Sequence, residues 1–230
     1  MNGTLQFELT SPLLRRFSAI ELLVILAALF VSFPFVDTLR ANGLIESILL
    51  TLVLISAVLA IARGRRTVII ATLLALPTLA ARWINHYRPE LVSAEIFLIG
   101  GILFAVFVIS NLLRFVLKAP SVNTEILCAS ISAYLLLGLL WTFGYWLVAE
   151  TIPDAFAFNG STGSNIVMKG FNGLYFSFIT LSTVGYGDIT PVSKVARMLA
   201  AMEAITGLLY VAVLIARLVA IQATPKSNDS

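Results

Sequence analysis

The chain is poor in most of what protein chemistry is usually built from. Its 230 residues include one cysteine, Cys128, and one histidine, His86. A lone cysteine inside an apolar run excludes an intrachain disulfide and a cysteine-built metal cluster, and is silent about redox compartment. Charged residues make up 12%, about half the share usual in a soluble domain. No nucleophile triad, metal-ligand spacing or phosphate-cradling loop is visible, so an enzyme is not expected. The fourth apolar stretch, Ile96 to Leu113, contains neither Arg nor Lys.

What fills the chain instead is apolar. Hydrophobic residues reach 59% and mean hydropathy is +0.98, which makes this an integral membrane protein. Arg15 and Arg16 precede the first apolar run, but no small-residue cleavage pattern follows, so the run reads as a retained span. A hydrocarbon core of about 30 Å needs roughly 20 helical residues, and six segments of that size fall at 18–37, 44–62, 67–86, 92–113, 123–149 and 193–222. Turn or charge signals separate them at Asn42-Gly43, Arg63 to Arg66, His86 to Pro89, and Lys118 to Pro120.

Alternate connections differ in basic residues. One side carries nine, Arg15, Arg16, Arg63, Arg65, Arg66, Arg114, Lys118, Arg217 and Lys226; the other carries six, Arg40, Arg82, Arg88, Lys169, Lys194 and Arg197. The richer side is expected in the cytoplasm with both termini. The net charge of +3 is explained by these span ends, so no nucleic-acid partner is expected.

Between the fifth and sixth spans the chain divides. Residues 150–170, with Pro153, Asp154, Asn159, Gly160 and Gly163, read as an exposed outer loop, and Asn159-Gly160-Ser161 also fits a glycosylation triplet. Residues 171–182 are too few to span: at 1.5 Å each they reach about 18 Å, which suits a short helix entering from outside, its carboxyl end carrying about half a negative charge. Next comes Thr183-Val184-Gly185-Tyr186-Gly187-Asp188. Glycines at alternate positions let the backbone visit left-handed dihedrals, so successive carbonyls can line a narrow passage and replace an ion's water shell. Such a row at membrane depth must be buried in protein or face water and ions.

That loop, with a short helix before it and a long apolar span after it, resembles the selectivity filter of potassium channels. The resemblance is closest from Asn123 to Val219. It implies that the carbonyls of Thr183, Val184, Gly185 and Tyr186, with the threonine hydroxyl, bind K+, that Gly187 completes the filter, and that Asp188, Ser182, Ile179, Tyr175 and Phe176 support it. Ile179 stands where some members carry an acid facing the residue matching Asp188, a departure that leaves the ion-pair form of filter inactivation without its usual partner. One loop supplies a quarter of a pore, so a homotetramer is implied. K+ is the permeant ion, and no cofactor is expected. Gly207 resembles the family's hinge glycine, although close helix packing is an equal reading. Leu208, Val211, Ala212, Ile215 and Val219 form a stripe expected to line an inner cavity and gate it by dewetting, with Leu214 on the lipid side. Glu203 lies off the stripe and is expected to hydrogen-bond the short helix or a neighbour.

The resulting expectation is an all-α membrane protein with six transmembrane helices plus a re-entrant pore helix and filter loop. Residues 1–120 form a four-helix region, 121–222 the pore domain and 223–230 a short cytoplasmic tail, too short for a ligand-binding domain. The first four spans occupy a voltage sensor's place without its charges; Arg114 and Lys118, at the cytoplasmic end, read as anchors. Glu21 and Glu95 sit near opposite faces, and His86 is placed in an external loop with Arg82 and Tyr87, solvated or pH-sensing. The expected setting is the cell membrane, with membrane lipids as partners and a regulatory partner of unknown identity left open. Two rival functions are a non-conducting regulatory subunit and a subunit of a potassium uptake transporter. The transporter would usually hold several degenerate filter loops, whereas the other glycine pair here, Gly100-Gly101, has no filter.

Overall fold

In the computed structural model, residues 12–36, 42–62, 64–159 and 167–223 are described. Apolar runs become helices because a helix satisfies its backbone polar groups internally. Five long ones come first: α1 (Pro12–Val36), α2 (Asn42–Ala60), α3 (Arg65–Tyr87), α4 (Ala94–Leu117) and α5 (Thr124–Thr151). Then follow β1 (Phe156–Phe158), the short α6 (Gly170–Leu181), β2 (Ile189–Pro191) and α7 (Lys194–Ala223). Helices α3, α4, α5 and α7 are long and apolar enough to cross a membrane, and α1 and α2 carry shorter apolar stretches at Ala19–Phe35 and Leu44–Ala60. The chain is an all-α membrane protein with one small β-ribbon.

Helix ends follow local chemistry. Gly64 precedes α3 in extended backbone, and the Asn123 side chain caps α5 by accepting from the Ile126 amide at 2.9 Å. Helix α1 packs on α2 and α5, α3 on α2 and α4, and α4 on α5. Small residues allow the close approaches: the Phe178 ring of α6 sits over Gly138 of α5, where a Cβ would lie 2.2 Å from its Cζ. The same ring meets Phe30 of α1 edge-on at 4.7 Å, so the outer helices touch the short one.

Two expectations need correction. Arg82 and His86 were placed in an external loop, but α3 runs through both to Tyr87. Arg82 is buried: its guanidinium pairs with Glu46 at 3.2 Å, Nε donates to Ser47 Oγ at 3.1 Å, and it lies over the rings of Phe97 and Trp146. Around this buried cation an acid and two aromatic faces stand where water would otherwise be. Segment 150–170 is likewise more than an exposed loop. Its β1 pairs antiparallel with β2, and Ala155, Phe156 and Met168 are buried. The side chains of Arg15, Arg16, Arg40, Arg63 and Lys226, with residues 224–230, lie outside the described residues.

Candidate functional site

The site is built on the carboxyl end of α6. This helix buries Gly173, Leu174, Phe176, Ser177, Ile179 and Leu181. At its start Lys169 pairs with Glu150 of α5 at 2.6 Å, and Glu150 also accepts from Trp146 Nε1 at 3.0 Å. At its end the helix hands its carbonyls to the loop: Ser182 N–H donates to Phe178 O at 3.0 Å and Thr183 N–H to Thr180 O at 2.9 Å. The Ile179 carbonyl accepts twice, from Val184 N–H at 2.8 Å and Gly185 N–H at 3.1 Å. These bonds seat the loop on the negative end of the α6 dipole.

The loop backbone alternates. Thr183, Gly185 and Gly187 have φ of 60°, 57° and 80°, with ordinary residues between them. Glycine takes this region without penalty, whereas a threonine there costs about 1–2 kcal/mol. A strained residue of this kind, held by hydrogen bonds on either side, is a mark of a functional site. Residues 182–188 are all exposed in the single chain, Tyr186 to 72%.

The residues expected to support the loop are distributed as follows. The Tyr175 hydroxyl faces the Asp188 carboxylate. The Asp188 carboxylate accepts from the Ile189 amide at 3.0 Å. Ser182 Oγ donates back to Phe178 O at 2.6 Å. Phe176 stacks edge-on with Tyr145 at 4.8 Å and Phe156 at 5.7 Å, and Ile179 is buried in the same cluster. Behind α6, Glu203 of α7 is fully buried. Its Oε1 lies 2.6 Å from Ser177 Oγ, and its Oε2 accepts from the Tyr145 hydroxyl. Ser177 Oγ is also 2.8 Å from Gly138 O.

Helix α7 presents one face to its own chain. Glu203, Gly207, Tyr210, Leu214 and Arg217 recur at helical spacing along it. The Tyr210 hydroxyl donates to Ser130 O, and Arg217 donates to Ala119 O. Gly207 meets α6 so closely that a Cβ would stand 2.1 Å from Leu181 O. Leu214, expected on the lipid side, packs against the core instead. The expected cavity residues Leu208, Val211, Ala212, Ile215 and Val219 are exposed.

Sequence reasoning missed Asn159 as a structural residue. Its Nδ2 donates to Gly187 O at 2.9 Å, and its backbone N–H donates to Asp188 O at 2.6 Å. Nothing in the triplet around it signals this contact, which arises from strand pairing. Gly160 and Ser161 of that triplet lie outside the described residues.

Residues 132–222 match the family model described as ion channel. The match supports an ion channel. It begins within α5 and takes in β1, α6, the loop, β2 and all but the last residue of α7. Comparison with curated proteins and with solved structures found no match.

Proposed function

We propose that the chain is a potassium-selective channel that passes K+ down its electrochemical gradient through a pore shared by four copies. The observation that carries this reading is the alternation of left-handed residues at 183, 185 and 187 on a loop gripped by the Ile179 carbonyl. Alternation of this kind is what turns successive carbonyls to one side. In this reading Thr183, Val184, Gly185 and Tyr186 bind dehydrated K+, Gly187 ends the row, and the α6 carboxyl end contributes its partial negative charge.

The tetramer is supported by what one chain leaves uncovered, namely the polar loop and most of α7. Polar backbone at membrane depth needs protein, water or ions around it, and three further copies supply the missing walls. The uncovered Leu208, Val211, Ala212, Ile215 and Val219 then line the inner cavity, where apolar constriction gates by dewetting. Six helices cross the bilayer, α6 re-enters from outside, both termini face the cytoplasm, and the setting is the cell membrane with lipids around α1–α4. The division is 1–120 for the outer helices and 121–222 for the pore. Gating depends weakly or not at all on voltage, since α4 carries no basic residue before Arg114 in its last turn. No cofactor is needed.

Purified protein in proteoliposomes under an outward potassium gradient tests this. Dye-reported flux that appears with K+ and stays at the empty-vesicle level with Na+ is expected. Equal flux with both ions, or none, would contradict the proposal.

A further inference from the structure

The backbone hydrogen bonds from α6 reach along the loop as far as Gly185. The backbone of the outer end is held from a different direction. In the β-ribbon Phe158 stands opposite Ile189, so the next rung places Asn159 opposite Asp188. That rung forms, with Asn159 N–H donating to Asp188 O at 2.6 Å. The side chain adds a second grip, Nδ2 to Gly187 O at 2.9 Å, and lies 3.4 Å from Thr190 Oγ1. One residue therefore holds two successive carbonyls at the loop's end.

The Gly187 peptide needs such a grip. With φ of 80° and nothing of its own chain within 4 Å of where a Cβ would be, no side chain of the same chain packs against it to choose its orientation, and glycine tolerates both hands of backbone. Ile179 has no polar side-chain atom to offer, and the Asp188 carboxylate is engaged with the Ile189 amide and Tyr175. The arm that carries Asn159 is itself fixed: Phe156 packs on Tyr145 and Phe176, and the Ala155 carbonyl accepts from Val192 and Ser193.

We infer that Asn159 is a positioning residue for the outer end of the ion row, its side-chain amide fixing the Gly187 peptide and thereby setting how long the row stays conducting when external K+ is low. This rests on the channel reading above.

The test uses the full chain with Asn159→Ala, Asn159→Asp, which keeps the shape but loses the donor, and Asn159→Gln, which keeps a donor. Two readouts are taken: peptide-level hydrogen exchange across residues 183–190, which needs no current, and current decay in bilayers at low and high external K+. Losing one neutral hydrogen bond should speed exchange and decay by about tenfold in the Ala and Asp variants. Raising external K+ should slow the decay, and the Gln variant should stay nearer wild type. Exchange and decay unchanged in the Ala and Asp variants would overturn the inference. So would loss of the tetramer in both on size-exclusion chromatography, since Asn159 would then be an assembly residue. A wild-type protein without selective potassium current would instead overturn the channel reading, and hydrogen exchange alone would then decide the role of Asn159.

Discussion

Replacing Gly207 with alanine separates two roles that a glycine in the last helix can have. A Cβ at this position would lie 2.1 Å from the Leu181 carbonyl oxygen and 3.0 Å from its carbon and Cδ1. Ordinary contact is near 3.5 Å, so α6 and α7 must part by roughly 1.4 Å. The obstructing atom is backbone, so no rotamer change relieves the clash. Overpacking of this kind costs about 1–3 kcal/mol in each chain. The displaced residue is the last of α6, two positions from Ile179, whose carbonyl seats Val184 and Gly185. Gly207→Ala should therefore lower the melting temperature of the purified protein by about 5 °C and weaken potassium-over-sodium selectivity together. Gly144 in α5 is the control, since a Cβ there meets nothing within 4 Å; alanine should be tolerated or stabilise by up to about 1 kcal/mol. If Gly207→Ala melts with wild type and only opens less often, the glycine is a hinge and the packing account is refuted.

Other substitutions probe the remaining contacts. Gly187→Ala forces a side chain onto φ of 80° at about 1–2 kcal/mol, and the potassium-over-sodium permeability ratio in bilayers should collapse while the size-exclusion profile stays that of wild type. Glu203→Ala leaves the buried Tyr145 hydroxyl without its acceptor and should cost about 1–3 kcal/mol in thermal unfolding; the same substitution at exposed Met202 should cost far less. Arg114→Gln should leave open probability equally flat between about −100 and +100 mV, because a charge at the interface crosses little of the field. Arg82→Gln should lower stability by roughly 3 kcal/mol through loss of its buried pair with Glu46, again without changing voltage dependence, and a steep voltage response abolished by either change would show that a charge does move.

Hydropathy made the long helices legible because lipid reads about twenty residues at once. The expected span at 123–149 became Thr124–Thr151, and the expected short helix at 171–182 became Gly170–Leu181. The loop was legible because its glycines are a backbone requirement written directly in residue type. Contacts between distant segments were not. Arg82 looked like an interfacial charge, since Glu46 and Ser47 lie 36 and 35 residues away in the sequence and only packing brings them together. The ribbon was hidden because Phe156–Phe158 and Ile189–Pro191 are too short to show a two-residue period. Leu214 was misplaced although the cue was present: the series Glu203, Gly207, Tyr210, Leu214 continues one helical face, and a buried acid beside a close-packed glycine marks it as the inward one.

The central claim is that this loop selects potassium, and the most direct measurement is the reversal potential of the purified wild-type protein in a planar bilayer with K+ on one side and Na+ on the other. A reversal potential displaced far from zero, with the K+ side negative, and returning to zero in symmetric K+, is predicted from a row of carbonyls that replaces the ion's water shell. Reversal near zero under the K+/Na+ gradient would mean a pore without that row and would contradict the account.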